Sequence, residues 1–320
     1  MKEVFELQNP WRFQKKYKFK YKPRKILGEL IKNLNNKKIL GLVGSRQVGK
    51  SAILYLLIDY LIKKKTPKEN IFYFNLDNFR LHDLFEEVVN LLNFVVNGRK
   101  NNQDCFIFID EIQRLKNPGL FLKEFYDLNL NIKIIYSGSS QIEIKSKLKE
   151  HLVGRVRELE IQRLSFAEYC DFRKPISKKQ ALEEYMIFGS YPAVALAGNS
   201  EERELSLRDI YQSYIQKDII EFLHIENVNA FNKLIILLSS QIGTLLNINN
   251  LSNALKVSRK EIEKYILILE NTFIIKSISP FFKNYKKEIT RIPKVYFLDL
   301  GFRNFALKNF FPLDLRGDKG

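Results

Sequence analysis

Apolar residues along this chain follow two rhythms. Residues 38–43, 71–76, 105–109 and 132–136 are short, almost uninterrupted apolar runs, the pattern of strands covered on both faces. Between them the apolar positions open out to helical spacing. Ala52, Ile53, Leu56, Leu57, Tyr60 and Leu61 form one such stretch, residues 81–96 a second, and Leu120, Phe121, Phe125 and Leu128 a third that starts at Asn117-Pro118. Residues 26–34 read as a short amphipathic helix ahead of the first run, and residues 158–161 as a further short strand. Strand and helix alternate, so the expected architecture is α/β, with a parallel sheet and helices on both faces.

Downstream the pattern changes to helices, over 164–198 and 201–223. Residues 231–242 and 249–255 predict two more, and Ser258 opens a third with Glu261 three residues later, a capping box. On that third helix Ile262, Tyr265, Ile266 and Leu269 face inward, and Arg259, Lys260 and Lys264 form an exposed basic edge. With residues 273–282 as a wing, the stretch has the outline of a winged helix-turn-helix whose basic edge could enter a major groove of duplex DNA. Winged helices also serve as protein-protein modules, so a protein client stays open.

The turn after the first apolar run carries the chemistry. Gly44-Ser45-Arg46-Gln47-Val48-Gly49-Lys50-Ser51 fits G-x-x-x-x-G-K-[ST], the P-loop, whose backbone N–H groups wrap nucleotide phosphates. Gly44 and Gly49 permit the turns and the close approach. Lys50 supplies a point charge for the β- and γ-phosphates, and Ser51 offers a hydroxyl to Mg²⁺. Strand, loop and helix come in the order that aims a helix N-terminus at the anion. The third run ends in Asp110-Glu111, the acids such a site needs: Asp110 for the Mg²⁺ shell and Glu111 to orient and activate water. The fourth run ends in Ser137-Gly138-Ser139-Ser140, and Ser139 is the candidate to touch the γ-phosphate or the lytic water. Arg155, in Gly154-Arg155-Val156-Arg157, is a candidate arginine finger acting in cis or across subunits, or it simply pairs with an acid.

Composition narrows the setting. The 320 residues carry a net charge of +17, which suits a polyanionic partner. Residues 1–40 alone hold twelve Lys or Arg against three Glu, interleaved with Trp11, Phe13, Tyr17, Phe19 and Tyr21. That mixture could bind a single strand, but packing of the aromatics on the core with the lysines in solvent is favoured. Two cysteines, Cys105 and Cys170, lack metal-site spacing and point to a reducing cytoplasm. His82, His151 and His224 are scattered. No apolar run reaches membrane-spanning length, and no signal peptide is expected at the N-terminus.

Taken together, GSRQVGKS, CFIFIDEIQRL, IKIIYSGSSQIE and HLVGRVRELEIQRLSFAEY resemble the AAA+-type prokaryotic P-loop ATPases, related to the archaeal-type ATPases, that carry a C-terminal domain of unknown function. IFGSYPAVA at 187–195 and YQSYIQKDIIE at 211–221 extend the resemblance. It implies a sheet in order 5-1-4-3-2, ATP rather than GTP, and a nucleotide site on Gly44, Gly49, Lys50, Ser51, Asp110 and Glu111. The expected layout is a basic arm and helix (1–35), a P-loop core (36–165), a helical lid (166–228), a winged helix (229–285) and the incomplete start of a further domain (286–320). In the resembled family, the Asp-x-Gly of Asp299-Leu300-Gly301 opens a nuclease-like domain, which this chain is expected to lack or to hold in truncated form.

Overall fold

The computed structural model describes residues 1–15, 17–100, 104–138, 152–221, 225–281 and 291–317. Two compact units emerge: Met1–Gly44 with Gly49–Ile161, and Ser45–Val48 with Gln162–Gly320.

In the first unit helices α1 (Lys2–Gln8), α2 (Pro10–Phe13) and α3 (Leu27–Leu34) precede β1 (Ile39–Val43) and α4 (Lys50–Lys63). Then follow β2 (Ile71–Asn75), α5 (Val88–Gly98), β3 (Cys105–Asp110), α6 (Pro118–Asp127), β4 (Ile132–Gly138) and β5 (Val156–Glu160). The five described strands form one sheet in order β2-β3-β4-β1-β5 with every pairing parallel, the order the resemblance implied. β1 and β3 are buried at every position, which is why they read as continuous apolar runs. β5, on one edge, is half-exposed and reads Val-Arg-Glu-Leu-Glu. One face of the sheet packs Phe72, Phe74, Ile107, Ile109, Ile134 and Tyr136 against Val88, Leu91 and Val95 of α5 and Phe121, Leu122 and Phe125 of α6. On the opposite face Tyr73 meets Tyr55 of α4, ring centroids 4.7 Å apart.

β2 lies at the other edge, where unpaired backbone groups invite another strand. The first two helices cover it with side chains. The Asn9 amide donates to the Tyr73 carbonyl and accepts from the Tyr73 N–H, both at 2.8 Å. Gln8 repeats the exchange with Asn75 at 3.3 and 2.8 Å, and the Arg12 guanidinium donates to the Ile71 carbonyl at 2.9 Å. Trp11 is fully buried against Tyr73, Tyr55 and Phe19. Trp11 and Phe19 are therefore packed on the core, while Phe13, Tyr17 and Tyr21 stay exposed, and residues 1–35 belong to the first unit.

The second unit contains α7 (Phe166–Arg173), α8 (Lys178–Phe188), α9 (Pro192–Leu196), α10 (Ser200–Gln212) and a π-helical turn over Ser213–Glu221. It continues with α11 (Val228–Ser240), α12 (Ile248–Leu255), α13 (Arg259–Asn271), β6 (Ile275–Ile278), β7 (Lys294–Phe297) and α14 (Leu300–Ala306). β7 pairs antiparallel with β6, and Leu245 bridges to Lys294. Residues 295–302, expected to open a further domain, pair here through β7 with β6 inside the second unit. The Asp-x-Gly motif also has a structural role. Asp299 caps α14 by accepting from the Phe302 N–H at 2.8 Å, while its other oxygen accepts from the Ser190 N–H and hydroxyl, both at 2.8 Å. A Cβ on Gly301 would lie 1.9 Å from the Phe188 carbonyl oxygen, so only glycine lets α14 approach the end of α8. Asn304 adds amide bonds to the Met186 and Ile187 carbonyls at 3.1 and 2.8 Å. The 187–192 segment and Asp-x-Gly are two halves of one lock.

Breaking that lock is expected to destabilise the chain. Gly301→Ala meets backbone and should cost more than about 3 kcal/mol, and Asp299→Ala about 1–3 kcal/mol by orphaning the Ser190 and Phe302 donors. Urea denaturation measures both; wild-type midpoints would show that the motif does not hold α14 in place.

Candidate nucleotide site

β1 ends at Val43, and the chain turns through the loop into α4. Gly49 sits at φ 94°, a left-handed conformation glycine adopts without penalty, and Gln47 at φ 60° takes the same region at some cost. No side chain caps the N-terminus of α4, a helix of 14 residues. Its first-turn amides and the positive end of its dipole are thus available to an anion. Lys50 is almost fully buried, and its ammonium donates to the Gly44 carbonyl at 3.0 Å, folded back over the loop. Ser51 follows, half-buried.

Sheet register brings the acids to the same edge. Leu42 is level with Ser137 and Asn75 with Asp110, while the pairing of Ile109 with Tyr136 sets Ser137 beside Asp110. One row across one face thus runs Leu42, Ser137, Asp110, Asn75. β4 separates β1 from β3, so the loop strand and the acid strand lie about 10 Å apart, two strand spacings.

Asp110 is completely buried and held from both sides. Its Oδ2 accepts from the Tyr73 hydroxyl at 2.7 Å, and its Oδ1 accepts from the Ser137 hydroxyl. Burial first, then the Asp110 charge, raise the Tyr73 phenol far above its ordinary pKa, so it stays a neutral donor. The Ser137 oxygen in turn accepts from the Glu111 N–H at 3.3 Å. Glu111 adopts φ 58°, ψ 48°, a left-handed conformation that costs a non-glycine residue about 1–3 kcal/mol, and its carboxylate accepts from the Gln113 amide.

Two of these residues escaped the sequence reading. Ser139 was preferred at the end of β4 and lies outside the described residues, whereas the hydroxyl on Asp110 is that of Ser137. Tyr73 sat in an apolar run where an aromatic reads as core; only its place opposite Phe108, one pleat from Asp110, could have marked it. Arg155, the candidate finger, lies away from the loop. Its carbonyl accepts from the Ile39 N–H at 3.0 Å, at the start of β1, a strand length of about 13 Å from the loop. Its guanidinium pairs with Asp127 at 2.8 Å, the bland alternative. The loop tip has a partner of its own in the second unit, where the Gln47 amide donates to the Ser213 hydroxyl at 3.3 Å, at the first residue of the π-helical turn.

These residues fit a magnesium nucleotide. The uncapped helix end and the loop amides match phosphates, and Ser51 with Asp110 offers the few protein oxygens that Mg²⁺ takes alongside phosphate and water. Among the described residues no group of three or more His, Cys, Asp or Glu is placed to hold a metal ion. No helix among the described residues is long and apolar enough to cross a membrane.

Comparison with known proteins agrees with this geometry. The AAA domain family matches residues 36–170, and a domain of unknown function, DUF8612, matches residues 179–313. An uncharacterized protein of Haemophilus influenzae is 26% identical over 291 residues, 88% of this chain and 72% of that protein. One from Methanocaldococcus jannaschii is 27% identical over 293 residues, 87% of this chain and 64% of its own length. One from Mycobacterium tuberculosis is 23% identical over 283 residues, covering 87% and 58%. The chain therefore spans less than two thirds of the archaeal and mycobacterial relatives. Among solved structures, the Aeropyrum pernix Orc1 protein in complex with DNA aligns with a TM-score of 0.38 and 14% identity over 94% of this chain and 96% of that one. With its loop, its acids and its sheet order, the stretch over residues 36–170 has the P-loop NTPase fold and matches the AAA domain family, and residues 179–313 match a domain of unknown function.

Proposed function

We propose that this chain hydrolyses ATP with Mg²⁺ and couples its nucleotide state to movement of a winged-helix module, α11 to α13 with β6 and β7, that grips duplex DNA or a protein client. The observation carrying the reading is the buried Asp110 carboxylate, fixed from both sides on the sheet edge where the loop meets α4. Residues 44–51 cradle the phosphates and Lys50 neutralises them. Ser51 and Asp110 would hold Mg²⁺, which when bound would supply positive charge for the transferred phosphoryl group. Glu111, poised in its strained turn, orients water and takes its proton. On α13 the expected basic edge is exposed at Arg259, Lys260 and Lys264, but Arg259 pairs with Glu263 at 3.0 Å, so Lys260 and Lys264 carry most of the contact to phosphates. A DNA-binding regulator that keeps its nucleotide as a structural ligand is the other outcome of the same experiment.

Phosphate release, with and without duplex DNA, separates them. Lys50→Ala should abolish nucleotide binding, whereas Glu111→Gln should bind Mg-ATP like wild type while hydrolysis falls roughly 10²–10⁴-fold. Undiminished turnover in Glu111→Gln ends its assigned role, and a wild type that binds without turnover leaves the nucleotide as a structural ligand.

Tyr73→Phe keeps the ring and removes only the hydroxyl on Asp110. The Mg²⁺ midpoint for binding a fluorescent ATP analogue should rise about tenfold, with metal-free binding unchanged. An unshifted midpoint would show that Tyr73 is packing alone.

A further inference from the structure

Beyond α2, residues 17–24 form a strap with no helix or strand hydrogen bonding. Its odd positions are anchored. The rings of Tyr17 and Phe19 lie 4.8 Å apart, Phe19 sits 5.8 Å from buried Trp11, and Tyr21 stacks on Tyr55 of α4 at 5.4 Å with the planes 8° apart. Side chains that alternate in this way mark an extended backbone with a period of two. Its even positions face solvent: Lys18, Lys20 and Lys22 are all exposed, as is Lys15 at the start. Neighbouring lysines on that face are about 6.6 Å apart along the chain, twice the rise of an extended residue. From residue 7 to residue 28 the sequence holds eight Lys or Arg and no Asp or Glu. Lys15, Lys18 and Lys20 form no ion pair among the described residues.

A row of like charges is self-repelling, and a flexible tail would relieve the repulsion by splaying. This one is held in place by its own aromatics, so the spacing of the charges is set before any partner arrives. A polyanion with charges at nucleotide intervals gains from that preorganisation and releases counterions as it binds. Flat partners gain more: Tyr17 and Tyr21 keep 38% and 44% of their surface exposed beside the lysines. Exposed rings between cations are what single strands use, bases on the aromatic faces and phosphates on the ammonium groups. An acidic peptide or an anionic lipid surface would use the charges and leave the rings idle.

We propose that the strap over residues 17–22 is a binding track for single-stranded nucleic acid, separate from the α13 edge. The test uses the full chain and a fluorescent oligo-dT, with affinity measured by anisotropy across a salt series. Lys18→Gln/Lys20→Gln removes two cations from exposed positions, so its thermal midpoint should match wild type. Its affinity should fall at least tenfold, and the slope of log affinity against log salt should flatten by about 1.4, two phosphate contacts' worth. Tyr21→Leu should weaken oligo-dT about fivefold without changing the slope. A wild-type slope in the lysine variant overturns the proposal, as does tighter binding of a duplex of equal length or of phosphatidylserine vesicles than of oligo-dT. Loss of oligo-dT binding in Lys260→Gln/Lys264→Gln, with the strap variant unaffected, would also overturn it while leaving the ATPase reading intact.

Discussion

A single buried carboxylate ties the first unit together. Asp110 has no exposed surface, and leaving such a group without donors would cost several kcal/mol. Its donors come from two strands, Tyr73 on β2 and Ser137 on β4, and neither could reach it if either strand slipped by one residue. The register of three strands is thus a condition for burying the charge, and the same register delivers that charge to the edge where β1 becomes the loop. Fold and site share one constraint.

The second unit uses polar burial in the same way, for shape. Asp299 joins two segments more than a hundred residues apart in sequence, and Arg303 reaches the Ser239 carbonyl at 2.8 Å from the same helix. Arg163, fully buried, donates to the Tyr191 hydroxyl at 2.8 Å and the Phe273 carbonyl at 2.7 Å. Such groups are expensive to bury unless every partner is present, so they specify one arrangement more sharply than apolar contacts do. A motif of acid, spacer and glycine after a strand looks like metal chemistry in one dimension, and here it is a helix cap and a close backbone approach.

What the sequence disclosed and what it hid follow from range. The loop 44–51 is contiguous, and its spacing carries its meaning. β1 to β4 announced themselves because burial on both faces leaves no room for polar residues. Asp110 and Glu111 were legible because they terminate such a run. Ser137 and Tyr73 were not, since their role depends on which strands are neighbours and in what register, information no local window contains. The place of Arg155 was hidden for the same reason: it comes seventeen residues after the described end of β4 and immediately before β5 at the far edge of the sheet, and only topology reveals which edge that is. Of the aromatics at residues 11–21, Trp11 packs as expected, because a ring of that size buries a large area, whereas Phe13, Tyr17 and Tyr21 keep much of their surface exposed. β6 and β7 pair across fifteen intervening residues, a separation no local window spans, so the chain beyond residue 294 was read through the family resemblance instead.

Gln8 and Asn9 lend their amides to β2 as though they were backbone, matching donor for acceptor along an otherwise naked margin. A side chain can do this for one or two residues without propagating, which a real strand cannot. The margin is therefore sealed against its own kind: a second copy of the molecule finds no template to extend, and ribbon growth through that flank is blocked by two uncharged side chains from a helix of seven residues and its following turn.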